Sequence, residues 1–179
     1  ARLPLHAALD ALRVALYDEP AREREMRLLW REALGTAWSA AALARLAGGS
    51  PGTAGLAGLL HRAGEALALR AVAAVEAAEG LRLDAASLQA ACATLEPELS
   101  AALARHWRLA PGVVTAMQGW RRVGEAAAPG ADARAVYFGH AWTSQLLFAE
   151  FPAPGLADEL GAQLRLERRE IARLRGTLA

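Results

Sequence analysis

Apolar residues recur at three- and four-residue intervals along most of the chain, the spacing of helices that bury one face. Leu5, Leu9, Leu12 and Leu16 form one such stripe. They predict a helix from Leu5 to Tyr17, with Pro4 suited to its first turn and Asp18-Glu19-Pro20 ending it. Ala21 to Ala47 predicts a second, long helix, or a pair broken near Gly35. Gly48-Gly49-Ser50-Pro51-Gly52 predicts a loop. Beyond it, Leu56, Leu59, Leu60, Ala63 and Leu67 carry a helix that ends by Gly80. Val72 and Val75 extend the pattern, either directly or after a break.

Asp84 suits the N-cap of a short helix from Ala85 to Leu95, and Pro97 the first turn of the next, ending near Trp107. Pro111 opens another that reaches about Arg122. Gly124 to Ala131 predicts a loop, and Asp132 the cap of a helix running to about Glu150. After the break at Phe151-Pro152-Ala153-Pro154-Gly155, a last helix runs from Leu156 to near the end. No stretch alternates apolar and polar residues with β-branched enrichment, so no strand is predicted. No internal repeat stands out at a fixed period. The fold class is all-α, a compact multi-helix bundle followed by an amphipathic C-terminal helix.

Composition narrows this picture. A chain of 179 residues makes one domain, or one with an appendage, and buries a real core. Twenty basic side chains against 19 acidic ones point to neither nucleic acid nor an anionic membrane as partner. No apolar run approaches the roughly 20 residues that span a bilayer. Cys92 is the single cysteine, which excludes an intrachain disulfide and fits a reducing compartment. With no secretory pattern at the N-terminus, the expected location is cytoplasmic. Ala1 stands where an initiator Met would, which fits a processed or excised piece of something longer.

The residues that bear on chemistry centre on Gly58-Leu59-Leu60-His61-Arg62-Ala63-Gly64-Glu65. A helix carrying His-Asp offers a divalent cation two adjacent donors. Here the second position is Arg62, a permanent cation with no lone pair, which repels a metal. His6, His106 and His140 share no His, Cys or carboxylate spacing with one another, so surface or packing roles are expected for them. Trp30, Trp38, Trp107, Trp120 and Trp142 lack a dense basic surround and read as core or interface residues rather than base-stacking platforms. Cys92, on an Ala-rich helix, reads as a buried inert thiol. Arg121 and Arg122 beside Trp120 are the best candidates for exposed contacts to an anion or a partner, set against a plain helix C-terminus satisfied by basic side chains. No phosphate loop, serine-nucleophile motif or dinucleotide fingerprint occurs, and no cofactor is expected.

Several blocks together resemble one family. Gly58-Leu59-Leu60-His61-Arg62-Ala63-Gly64 resembles the Gly-Leu-Leu-His-Asp-x-Gly signature of the HD superfamily of phosphohydrolases. Ala101 to Ala116, with Trp107, Leu109, Pro111 and Val113, resembles a second block typical of HDOD domains, the HD-related output domains of bacterial signalling proteins. Ala135-Val136-Tyr137-Phe138-Gly139-His140-Ala141-Trp142 resembles the family's late helix. The resemblance covers roughly Leu28 to Glu150. It leaves residues 1–27 as an N-terminal helix and linker, short relative to the family, and residues 151–179 as a C-terminal helix.

The departures from that pattern carry the functional expectation. The resemblance implies ligands from an early-helix His, the His-Asp pair, further histidines in some members and a late-helix Asp. Those positions fall at Thr36, His61 with Arg62, Glu96, Trp120 with Arg121, and Trp142. One surviving ligand cannot hold a catalytic metal, which needs three or more protein donors. Arg62 either points to solvent beside Glu65 or forms an ion pair with Glu96 in the vacated pocket. The chain is therefore expected to be a non-enzyme: a regulatory module that binds another signalling protein or domain. Two alternatives remain open, a residual metal-dependent phosphohydrolase acting on a nucleotide or cyclic dinucleotide, and a sensor that engages a small anion through Arg62 or Arg121. In the C-terminal helix Leu164, Ile171 and Leu178 recur every seven residues, and Leu160 and Leu174 lie on the adjoining seam. That pattern fits packing on the domain or a homodimer.

Overall fold

The computed structural model describes residues 5–123 and 130–148. Among them lie seven α-helices, two 3-10 turns and no strand: α1 (Leu5–Tyr17), α2 (Glu23–Leu46), α3 (Pro51–Leu60), α4 (Ala63–Glu79), α5 (Ala85–His106), α6 (Pro111–Gly119) and α7 (Ala131–Phe148). The 3-10 turns are Pro20–Arg22 and Trp120–Arg122. The all-helical expectation holds. The predicted C-terminal helix lies outside the described residues.

The chain forms two compact units. Among the described residues the first comprises 5–31 and 62–108, the second 32–61, 109–123 and 130–148.

The first unit is built on the hairpin of α4 and α5, with α1 and the Pro20–Arg22 turn against α4. Ala66, Leu69, Val72 and Ala73 of α4 and Cys92, Leu103 and Ala104 of α5 are buried. The hairpin turns because Gly80 takes the left-handed conformation that ends α4, and because Asp84 caps α5 by accepting from Ser87 N at 2.7 Å. At its far end the backbones nearly touch. A Cβ on Gly64 would collide with the Ser100 side chain and the Glu96 carbonyl. Two sequence expectations change here. Pro97 lies inside a single continuous α5 rather than opening a second helix. Proline in a helix interior costs about 3 kcal/mol, yet buried residues on both sides of it, Cys92 and Glu96 before and Ser100, Leu103 and Ala104 after, hold the helix together. A buried ion pair also appears, with Arg22 Nη2 2.5 Å from Glu76 Oε2. Glu76 Oε1 accepts from Leu83 N at 2.7 Å. The Leu83 bond and the Arg22 guanidinium hold the Glu76 carboxyl below its usual range, against an opposing push from burial.

In the second unit α3 packs on α6 and α7, and α6 on α7. Ala54, Ala57 and Leu60, Val113, Ala116 and Met117, and Val136 and Phe138 supply its core. Ser50 caps α3, accepting from Thr53 N at 3.3 Å with Pro51 in the first turn, so the predicted Gly-Pro loop is shorter than expected. Asp132 sits in the first turn of α7 and accepts from Ser50 N at 2.7 Å. It ties two helix starts together, instead of capping its own helix as the sequence predicts. Helix α2 runs unbroken through Gly35. Gly35 has a close-packing role, since a Cβ there would meet the Thr143 side chain. Gly58 faces the backbone of Thr36 and Ala37, and Gly139 faces that of Thr36 and Ala40.

Candidate functional site

His61 stands at the end of α3, where the sequence pattern predicts continuous helix. The chain breaks at His61 and Arg62 before α4 begins at Ala63. The break has a local cause. His61 Nδ1 lies 2.6 Å from the Gly58 carbonyl, so the side chain satisfies one of the last carbonyls of its own helix. A carbonyl only accepts, so Nδ1 carries the proton of that bond.

The other ring nitrogen is also engaged. His61 Nε2 lies 3.1 Å from His140 Nδ1 of α7. Either His61 Nε2 accepts from His140 Nδ1–H, or a His61 cation donates to His140. In both arrangements His61 keeps no free lone pair. His140 Nδ1 is also 3.5 Å from Glu32 Oε1, and Ser144 Oγ donates to that oxygen at 2.6 Å. Glu32 and His61 are buried, and His140 is half-buried. Trp120 closes the group, its ring centroid 5.0 Å from that of His61 and 4.7 Å from that of His140, both edge-on. The Arg121 guanidinium lies 5.0 Å from the Trp120 ring centroid, in cation–π range.

The second unit brings His61 and Trp120 into ring contact, with Arg121 against the Trp120 ring, and adds Glu32, His140 and Ser144, which the sequence reading missed. His140 was expected in a surface or packing role, and its bond to His61 spans 79 residues. A faint signal existed. Glu32 with Thr36, and His140 with Ser144, are polar pairs four residues apart, each beside a glycine (Gly35, Gly139) on Ala-rich helices. That combination marks close-packed helices with a polar inner face. Thr36 is fully buried and its Oγ1 has no hydrogen-bond partner. Trp142 is half-buried on α7, and Arg122 is exposed.

The remaining predicted positions belong to the first unit. Arg62 precedes α4 and forks onto Glu65, with Nε to Oε2 at 2.9 Å and Nη2 to Oε1 at 2.6 Å. This is a bidentate pair of the strong kind. Glu96 is buried on α5. Cys92 is buried, and burial, reinforced by Glu65, pushes its thiol above the usual range, as an inert thiol requires.

Among the described residues no group of three or more His, Cys, Asp or Glu side chains is arranged to hold an ion. Nor is any helix among them long and apolar enough to cross a membrane.

The HDOD domain family model matches residues 7–121, and the chain belongs to the HDOD family. The match takes in α1 and α2, and so starts earlier than the sequence resemblance does. No curated protein and no solved structure matches the chain.

Proposed function

We propose that the chain is a non-catalytic regulatory module of bacterial signal transduction, an HDOD domain that acts in the cytoplasm by binding another signalling protein or domain. The observation that carries this reading is the engagement of His61 on both sides. Its Nδ1 serves the Gly58 carbonyl and its Nε2 serves His140, so neither nitrogen of His61 offers a metal a free lone pair. The next residue supports the same reading, because Arg62 cannot donate a lone pair and Glu65 already holds its guanidinium. Family membership fits a signalling role.

The test is turnover. The full chain is assayed against nucleoside phosphates and cyclic dinucleotides with added manganese, iron or zinc. The expected result is no hydrolysis above a protein-free blank. Hydrolysis that a chelator abolishes and His61→Ala removes would establish a phosphohydrolase instead.

A further inference from the structure

Trp38 is 74% exposed on the outer side of α2, the most exposed large apolar side chain among the described residues. Tryptophan, with tyrosine and arginine, leads the residues that anchor protein interfaces. One heptad further along the same face lies Arg45, also exposed. Only small Ala41 and Ala42 stand between them.

The charges of this unit give the partner's sign. Among its described residues the carboxylates are Glu32 and Asp132, and both are used internally. Glu32 is buried and accepts from Ser144, and Asp132 accepts from Ser50 N. The exposed charged side chains of the same set are Arg45, Arg121 and Arg122. A second copy of this unit would bring arginine towards arginine. Three separated arginines do not make the dense basic stripe that nucleic acid selects.

We propose that the α2 face bearing Trp38 and Arg45 is the docking surface for an acidic amphipathic helix of a partner protein. An apolar residue of that helix covers the indole. An aspartate or glutamate about two turns away, roughly 10 Å along the axis, meets Arg45. The inference rests on the reading of the chain as a partner-binding module and names the surface it would use.

The experiment places the photo-crosslinker benzoylphenylalanine at position 38 of the full chain in its native cells, and at exposed Val75 of the other unit as the comparison. Cross-linked peptides are identified by mass spectrometry, and the captured protein is purified for titration. The proposal expects capture at position 38 of an acidic helical segment, and affinity weakened about tenfold or more by each of Trp38→Ala and Arg45→Glu. It also expects binding to weaken with salt, and helicity by circular dichroism to be unchanged in both variants. Capture at position 75 alone overturns this surface and leaves the module reading standing. Capture of a second copy, of residues 149–179 or of nucleic acid overturns the proposed occupant. Affinity indifferent to both substitutions overturns the surface, and no capture at either position counts against the surface and the module reading together.

Discussion

At position 61 an imidazole uses one nitrogen to finish its own helix and the other to reach α7. Its hydrogen bonds are therefore part of the folding energy of the second unit. His140→Leu strands a buried acceptor or donor on His61, at a cost of about 1–3 kcal/mol. In chemical denaturation the double variant with His61→Leu is expected to cost less than the two single ones added, by about 0.5–3 kcal/mol. Strict additivity would show that the two rings do not work as a pair. A second residue-scale prediction concerns Glu76, whose native carboxyl is held below its usual range by Leu83 N and Arg22. A depressed native value contributes stability that is present above the unfolded carboxylate range and lost as pH falls through the native value. Thermal unfolding followed from neutral to acidic pH should show that loss, and Glu76→Gln should flatten it. An equal slope in both proteins would contradict the assignment. The pairing of Arg62 with Glu65 was one of two placements legible at this scale, because the two residues lie three apart in the sequence. His140 and Glu32 were not, because only the folded chain brings residues so far apart in sequence within bonding distance of each other.

Helix α1 follows directly from its apolar stripe, and α6 starts at the proline that marks it in the sequence. The differences arise where a tertiary contact overrides a local signal. Pro97 reads as a helix start, yet burial against α4 on both sides keeps α5 whole. Nothing local marks His61 as a helix end, because the bond that ends α3 comes from its own side chain and is fixed by a partner on α7. Two substitutions test the element-scale account with opposite signs. Gly64→Ala forces a methyl into Ser100 and the Glu96 carbonyl, and should destabilise by about 1–3 kcal/mol. Arg108 follows α5 with a left-handed φ of 51°, a conformation that glycine adopts without strain. Arg108→Gly should therefore raise stability by up to about 1 kcal/mol. Denaturation midpoints moving the other way in either variant would show that the helix contacts or the backbone strain are misjudged.

For the molecule as a whole, family membership was readable from motif order and spacing, and the all-helical class from apolar periodicity. The hydrogen-bond partners of His61 were not, because the one on α7 lies 79 residues away in sequence. The account depends on His61 being closed to metal, and the most direct measurement is a zinc titration followed through the imidazole nitrogen resonances of 15N-labelled protein. His61 should show a protonated Nδ1 and a hydrogen-bonded Nε2, with the pattern unmoved as zinc is added to stoichiometry and beyond. A shift of His61 Nε2 to a metal-bound position, complete at a stoichiometric amount of zinc, would contradict it.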